Sequence, residues 1–402
     1  MTTWLAGRRV VLGVSGGIAA YKAVELCRRM VDAGAFVSPV LTEDATRFIG
    51  KLTFDALGSE KARTSLWDEP EPIPHTRLGQ NADVIVVAPA TARVIGKLVA
   101  GISDDLLTAT LLATRATVIV CPAMHTEMWE HPAVQDNIAT LRRRGTVVVD
   151  PAVGRLAGGD EGAGRLAEPD DILFTVEQAL APQDLKGTRV VVTAGGTREP
   201  LDPVRYLGNR SSGKQGYAIA YEAATRGADV TLISTVDRWT PAALRTIKVE
   251  TAAEMAEATL DAAGDADVVV MAAAVADFRP ADPHQHKIKK GSGPPPVTLE
   301  PTTDILATLG QRKPAAQVLV GFAAETTDVK AYARRKLEAK NLDLIVANDV
   351  TAPGAGFEHE TNQVDVLGRD GSEQNVPLAD KRSVARVVLD AVVPRLGAER
   401  EQ

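Results

Sequence analysis

The stretch GVSGGIAAYK, residues 13–22, decides the fold of the first part of the chain. It completes an apolar run that begins at Val10 and leads directly into a helical pattern, which predicts a strand, a tight turn and a helix. Gly13, Gly16 and Gly17 allow the backbone to approach a ligand closely, and the free N–H groups of a helix N-terminus attract an anion. The spacing is neither the G-x-G-x-x-G dinucleotide fingerprint nor a Walker loop. The turn therefore predicts a phosphate site, with a ligand-free strand-to-helix turn as the alternative.

Length and composition limit the class of protein. The chain has 402 residues, 45% of them hydrophobic and 24% charged, which fits two globular domains. A net charge of -7 argues against broad nucleic-acid binding and favours small phosphorylated ligands held by local positive groups. Two cysteines exclude a disulfide framework, and no apolar run approaches the length of a membrane span or a signal peptide. We expect a cytoplasmic protein that binds neither nucleic acid nor membrane.

Apolar runs alternate with helical patterns through both halves of the chain, as a parallel sheet covered by helices requires. The runs are Val10–Val14, Phe36–Leu41, Val84–Ala88, Val118–Cys121, Val147–Val149, Val190–Thr193, Val230–Ser234, Val268–Ala272, Val318–Gly321 and Leu344–Ala347. They predict an α/β fold class with two doubly wound, Rossmann-like three-layer domains whose sheets are mainly parallel. We place the first domain at residues 1–180, a linker at 181–187 and the second domain at 188–402. A hairpin is predicted at 363–378, before a final helix.

Four segments of the first domain each follow a predicted strand directly. They are the turn around Ser15, residues 88–107, residues 121–129 with the sequence CPAMHTEMW, and the Gly-rich residues 154–169. We interpret the last of these as a mobile flap. Because ligands gather at the carboxyl ends of parallel strands, the four segments are predicted to form one site.

The motifs of the two halves resemble two known families. In the first half, several stretches resemble the flavin-dependent cysteine decarboxylases: GVSGGIAAYK, IPHTRLGQNADVIVVAPATA, GISDDLLTATLL and CPAMHTEMW. In the second half, other stretches resemble phosphopantothenate–cysteine ligase: TAGGTREPLDPVRYLGNRSSGKQG, MAAAVADFRP, KIKK, GFAAET and NLDLIVANDV. In this order, the two halves resemble the bacterial bifunctional proteins of coenzyme A biosynthesis.

The resemblance implies that the opening turn holds the phosphate of FMN. The implied FMN contacts are Ser15, Gly16, Gly17, Thr42, Thr91 and Ser103. His75, in IPHTRLG, matches the active-site histidine of the decarboxylases, and an imidazole suits removal of a thiol proton because its pKa lies near working pH. From the sequence alone, a surface histidine in a Pro-rich loop is the alternative.

Two departures from the decarboxylase pattern concern proton transfer. His125 stands where the family usually has the asparagine that helps to hold the substrate carboxylate, and histidine donates hydrogen bonds with a different geometry. Ala157–Gly159 stand where the family flap has A-C-G, whose cysteine reprotonates the reduced intermediate. Either another acid replaces this thiol, with His125, Asp160 and Glu161 as candidates, or this half-reaction is slower.

For the second half, the resemblance implies that 4′-phosphopantothenate is activated by CTP to an acyl-cytidylate, which cysteine then attacks. Asn209 matches the residue that holds this intermediate, and Arg205 lies near the same substrate. Lys287, in a run with Lys289 and Lys290, matches the lysine that contacts the triphosphate, although a solvated charge run is the alternative. The implied nucleotide site comprises Ala273, Asp277, Lys287, Asp304, Ile305, Phe322, Lys336 and Lys340.

The whole chain is thus expected to ligate cysteine with CTP and Mg²⁺ and to decarboxylate the product with FMN. Arg210 stands where the ligases often have histidine, which changes little in this expectation. By analogy we expect a homo-oligomer, a dodecamer built from trimers of the first domain and dimers of the second. An NAD oxidoreductase is excluded because neither domain opens with the dinucleotide fingerprint. A ligase fused to a flavoprotein domain that only binds or regulates remains the alternative.

Overall fold

The structure is a computed structural model that describes residues 3–67, 73–289, 297–325, 328–349 and 359–397. The chain divides into two compact units, one spanning Thr2–Pro182 and the other Gln183–Gln402. No helix within the described residues is long and apolar enough to cross a lipid bilayer.

The first unit is built on a five-stranded parallel sheet in the order β2-β1-β3-β4-β5. A two-stranded antiparallel hairpin, β6-β7, follows it. The elements are β1 Arg9–Val14, α1 Ala20–Asp32, β2 Phe36–Leu41, α2 Lys51–Leu57, α3 Pro74–Asn81, β3 Val84–Ala90, α4 Ala92–Ala100, α5 Leu106–Leu112, β4 Thr117–Pro122, α6 Thr126–Trp129, α7 Pro132–Arg143, β5 Val147–Val148, β6 Ala152–Arg155, β7 Glu161–Arg165 and α8 Pro169–Leu180.

Successive side chains of the central strands enter two apolar cores, one on each face of the sheet. In β1, Val10 and Leu12 pack into the first core, and Val11 packs into the second. The strands are buried on both faces, which explains why each reads as a continuous apolar run.

The second unit has an eight-stranded sheet in the order β12-β11-β8-β13-β16-β17-β18-β19. Its first six strands are parallel, and the last two are antiparallel. The elements are β8 Arg189–Ala194, β9 Arg198–Pro200, β10 Tyr206–Gly208, α9 Lys214–Thr225, β11 Asp229–Ser234, β12 Arg245–Lys248, α10 Ala252–Ala263, β13 Val268–Met271, β14 Phe278–Pro280, β15 Leu299–Pro301, α11 Ile305–Arg312, β16 Val318–Glu325, α12 Val329–Ala339, β17 Leu344–Asp349, β18 Thr361–Gly368, β19 Glu373–Asp380 and α13 Lys381–Gly397.

The predicted α/β class with mainly parallel sheets is confirmed. The hairpin before the final helix is β18-β19, although its strands are longer than the sequence indicates. The sequence reading missed the edge strand β12 and two short antiparallel pairs, β9-β10 and β14-β15. These strands have three or four residues each, too few for an alternating pattern to emerge.

Candidate active sites

The turn after β1 is tied to the end of β3 through one buried hydroxyl. Ser15 Oγ donates to the carbonyl of Pro89 at 2.7 Å and accepts from the N–H of Thr91 at 2.9 Å. A Cβ on Gly16 would lie 2.3 Å from the Cβ of Asp44, so only glycine fits there. Among the described residues, the N–H groups of Gly16 and Gly17 have no acceptor. They remain available to an anion at the start of α1.

A cavity of about 820 Å³ opens beside this turn, at the carboxyl ends of the parallel strands. This volume lies in the range of small-molecule and cofactor sites. The lining residues include members of all four segments that the sequence predicted to converge: Gly16, Gly17, Ile18, Ala19, Tyr21, Lys22, Asp44, Thr91, Ala92, Arg93, Ala123, Met124, His125, Met128, Arg155, Leu156, Ala157, Gly164, Arg165 and Leu166.

The six residues expected to contact FMN divide into two groups. Gly16, Gly17 and Thr91 line the cavity. Ser15 is buried behind them and bonds to Pro89 and Thr91. Thr42 and Ser103 are not among the lining residues. The Thr42 hydroxyl accepts from the N–H of Ala45 at 3.2 Å, and Ser103 is exposed.

His75 is not among the residues that line the cavity of its own chain. It is the second residue of α3 and half-buried. Its Nδ1 atom is buried and has no hydrogen-bond partner within the described residues. An orphaned buried ring nitrogen is unusual, because such groups normally find a partner.

His125, the N-cap residue of α6, lines the cavity and lies between two carboxylates. Its Nδ1 is 2.5 Å from Glu127 Oε2, and its Nε2 is 3.3 Å from Asp160 Oδ2. The hydrogen bond with Glu127 raises the pKa of His125, partial desolvation opposes this, and the charges of Glu127 and Asp160 add to the increase. The sequence reading named His125 and Asp160 but missed Glu127, whose only sequence signal is its position two residues after the histidine.

The Gly-rich segment forms the β6-β7 hairpin and lies against residues 124–126. The N–H of Met124 donates to the carbonyl of Gly164 at 3.0 Å. A Cβ on Gly164 would lie 2.2 Å from the Met124 carbonyl, and one on Gly158 would lie 2.9 Å from His125 Nε2. Because Gly158 and Gly164 have no side chains, the hairpin can contact the wall that carries His125.

Positive charge surrounds the cavity. Lys22 and Arg165 pair with Glu168 at 3.3 and 3.0 Å, and Arg93 pairs with Asp44. Arg155 lines the cavity and forms no ion pair with any residue that the structure describes. This arrangement favours an anionic ligand.

In the second unit, Arg205 is fixed beside Ile288, which lies between Lys287 and Lys289. Its Nε and Nη2 donate to Asp202 Oδ2 at 2.9 and 2.5 Å, and Nη2 also donates to the carbonyl of Ile288 at 2.8 Å. The Ile288 N–H donates to the same carboxylate at 3.1 Å. The hydrogen bonds from Arg205 hold the pKa of the Asp202 carboxyl well below its usual range. This clamp holds the exposed Lys287 near Arg205; the sequence reading missed Asp202.

Asn209 and the residues after β13 lie at the same edge of the sheet. Asn209 Nδ2 donates to the carbonyl of Val275 at 2.9 Å, and the N–H of Ala273 donates to Thr193 Oγ1 at 3.1 Å. The N–H of Thr302 donates to the carbonyl of Asp277 at 3.0 Å. These bonds link Asn209, Ala273 and Asp277 through one stretch of backbone.

The remaining predicted nucleotide contacts lie on α11, β16 and α12. Asp304 caps α11 and accepts from Lys340 at 2.7 Å. Burial alone would raise the pKa of Asp304, but the hydrogen bonds from Lys340 and from the Ala307 N–H lower it. Ile305 is buried at the start of α11, Phe322 is half-buried in β16, and Lys336 is one turn before Lys340. Lys290 lies outside the described residues.

Each half of the chain matches a known protein family, and nearly the whole chain matches known proteins. A family described as "Flavoprotein" matches residues 2–181, and a family described as "DNA/pantothenate metabolism flavoprotein C-terminal domain" matches residues 185–395. The coenzyme A biosynthesis bifunctional protein CoaBC of Mycobacterium tuberculosis is 49% identical over 403 residues, covering 96% of each chain. The protein of the same name from Bacillus subtilis is 48% identical over 395 residues, covering 96% of this chain and 97% of its own.

Among solved structures, the C-terminal domain of a coenzyme A biosynthesis bifunctional protein CoaBC aligns with a TM-score of 0.46 and 42% identity, over 53% of this chain and 98% of its own. The FMN-binding protein AtHal3 aligns with a TM-score of 0.38 and 34% identity, over 42% of this chain and 94% of its own.

The fold, the cavity and the family matches define a flavoprotein domain followed by a pantothenate-metabolism domain. The chain belongs to the family of coenzyme A biosynthesis bifunctional proteins, and it acts in coenzyme A biosynthesis as a decarboxylase and a ligase.

Proposed function

We propose that the second unit joins 4′-phosphopantothenate to cysteine with CTP, and that the first unit decarboxylates the resulting 4′-phosphopantothenoylcysteine with FMN. The domain that carries the decarboxylase corresponds to residues 1–180, and the ligase to residues 188–402. The observation that carries the proposal is the cavity beside the Gly16 turn, whose free N–H groups and volume support the binding of a phosphorylated cofactor.

The residues of the first unit fit FMN. The turn at Gly16 and Gly17 offers N–H groups at the start of a 13-residue helix, where a phosphate is favoured. The cavity is large enough for the cofactor and a substrate arm, and Arg155 supplies a positive charge. Bound FMN supplies a reversible hydride acceptor, and the protein orients the substrate and moves protons.

His75 acts in this proposal as the base that takes the thiol proton, and it acts in the cavity of a neighbouring subunit. The motivation is its absence from the lining of the cavity of its own chain and its orphaned Nδ1 atom. Ile18 and Tyr21 line the cavity yet are 61% exposed each, as expected of a site that a second chain completes. An active site shared between neighbouring chains agrees with trimers of the first unit.

A mixing experiment tests this arrangement. Two variants are refolded together: His75→Asn, and Gly16→Val, which should lack flavin; each alone is expected to be inactive as a decarboxylase. Recovered CO₂ release is expected, because a mixed trimer contains an intact His75 beside an intact cavity. No recovery, with mixed assembly shown by mass, would mean that His75 acts within its own chain.

In the second unit, the nucleotide is proposed to bind as a Mg²⁺ complex, with the cation carried by the triphosphate. Lys287 neutralises charge as pyrophosphate leaves, and the Asp202–Arg205 clamp holds its loop in place. Asn209 holds the acyl-cytidylate for attack by the cysteine amine. Mg²⁺ binds largely through phosphate oxygens and water, so few protein ligands are needed.

Nucleotide choice and cofactor identity are tested separately. We expect the cofactor released from purified protein to have the mass of FMN. Pyrophosphate release should depend on 4′-phosphopantothenate and on CTP, with little release from ATP, and Lys287→Gln should lower it by at least about 10²-fold. Equal rates with ATP would contradict the CTP assignment and leave the ligase assignment intact.

We further propose that the protein works in the cytoplasm on these small molecules. Exposed apolar side chains on the β9-β10 and β14-β15 pairs, Tyr206, Leu207, Phe278 and Leu299, provide a surface for dimers of the second unit. With trimers of the first unit, such dimers close into a dodecamer. No finding favours a first domain that only binds flavin.

A further inference from the structure

The cavity of the first unit contains a histidine placed for proton transfer. His125 lines the cavity with 37% of its side chain exposed. Glu127 holds Nδ1 at 2.5 Å, while Nε2 is 3.3 Å from Asp160 Oδ2 and has no other polar side-chain partner within the described part of the chain. A carboxylate at one ring nitrogen fixes the ring and leaves the other nitrogen to exchange its proton.

Space beside Nε2 is available because position 158 is glycine. A side chain there would begin 2.9 Å from Nε2, closer than a carbon atom normally approaches. Position 158 of the hairpin therefore presents only backbone to His125. An imidazole and a longer flap side chain cannot both occupy this part of the cavity without a shift.

We propose that His125, as an imidazolium positioned by Glu127, donates the proton that replaces the lost carboxylate. This inference rests on the decarboxylase function proposed above and names the acid that the function requires. His125 is the catalytic residue, since it contacts the cavity, and Glu127 is a positioning residue that acts through it.

When the carbon–carboxylate bond breaks, CO₂ leaves and the electron pair of that bond remains with the substrate. The Nε2–H bond of the imidazolium breaks, and its proton forms the new carbon–hydrogen bond. The neutral ring then takes a proton from solvent, so the net change is one carboxylate exchanged for one hydrogen.

Charged groups around His125 determine the pH range of this step. Glu127 on α6 and Asp160 on the hairpin raise the pKa of the ring. The charged residues that line the cavity are Lys22, Asp44, Arg93, Arg155 and Arg165. Because the acid must be protonated, decarboxylation should fall as pH rises through the raised pKa of His125.

The experiment supplies 4′-phosphopantothenoylcysteine directly to the FMN-loaded full-length protein and measures CO₂. His125→Asn should lower kcat at least about 10²-fold while flavin absorbance is retained. His131→Asn is the matched control, since the His131 side chain caps α7 by accepting from the Ala133 N–H, and asparagine also caps. Equal CO₂ release by wild type and His125→Asn would overturn the inference.

A second variant keeps the imidazole. Glu127→Gln removes the negative charge, so the loss of activity at high pH should begin at a lower pH than in the wild type. An unshifted pH profile would overturn the positioning role. If wild-type protein itself releases no CO₂, the proposed function fails instead, so the two failures are distinguishable.

Discussion

At the scale of single residues, the two sites show what a sequence can and cannot predict. Gly16 and Asn209 belong to local motifs, so their placement at strand ends follows from the order of elements. Glu127 and Asp202 matter only through their contacts with His125 and Arg205. Such contacts depend on loop geometry, which no periodic pattern encodes.

The Gly16 turn provides a direct test of the cofactor site. In Gly16→Ala, the new methyl group would lie 2.3 Å from Asp44 Cβ and 2.7 Å from its backbone carbon. The turn must move, at a cost of about 1–3 kcal/mol, and bound flavin should be lost. Gly96→Ala is the control, because its nearest neighbour is 3.9 Å away in the interior of α4. Flavin absorbance and thermal unfolding measure both effects; full flavin content in Gly16→Ala would contradict this account.

Lys381 should make the stability of the second unit depend on pH. Burial, with the charge of Lys214, lowers the pKa of Lys381 from 10.5 to about 8, although Glu360 opposes this. Between these pH values the unfolded state binds more protons than the folded state, so the free energy of unfolding rises with pH. The difference in the free energy of unfolding between the wild type and Lys381→Met should be constant below about pH 8 and rise towards pH 10.5. Denaturant unfolding across this range measures the difference, and a constant difference would refute the prediction.

At the scale of elements, the long strands could be predicted and the short ones could not. A strand such as β3, buried along all seven residues, leaves a continuous apolar run. The pair β9-β10 has three residues in each strand, with polar and apolar residues mixed. Its position depends on the loop between β8 and α9, which has no periodic pattern in the sequence.

One buried arginine joins three elements of the second unit. Arg226, at the end of α9, is 2% exposed and donates to Asp184 at 2.9 and 2.6 Å and to Asp390 of α13 at 2.7 Å. Asp184 belongs to the segment that the sequence indicated as a linker, and neighbouring Leu185 is fully buried.

Arg226→Met should destabilise the second unit by about 2–3 kcal/mol, since two carboxylates lose their partner. The cost stays below that of a fully buried pair because both acids are partly exposed to water. The exposed Arg245→Met is the control and should change stability by less than about 0.5 kcal/mol. Urea unfolding gives both values. An unchanged free energy of unfolding in Arg226→Met would show that packing alone fixes these elements.

At the scale of the whole molecule, assembly is the prediction that the sequence supported only by analogy. The cavity with exposed Ile18 and Tyr21, and the exposed side chains on the second unit, add a structural reason for it. Mass photometry should give about 510 kDa, twelve times the chain mass of 42.5 kDa. Tyr206→Glu should reduce the assembly to trimers by placing a charge in the apolar dimer surface. A monomer of wild-type protein at micromolar concentration would exclude the dodecamer.

The most direct test of the account is one assay that follows both reactions in the same protein. Purified, FMN-loaded protein is incubated with 4′-phosphopantothenate, cysteine, CTP and Mg²⁺, and pyrophosphate and CO₂ are measured separately. We predict that both are released, that Asn209→Ala abolishes CO₂ and limits pyrophosphate to a single turnover because the acyl-cytidylate is not consumed, and that His125→Asn abolishes only CO₂. Pyrophosphate without CO₂ from the wild-type protein would contradict the central claim that the two units catalyse successive steps.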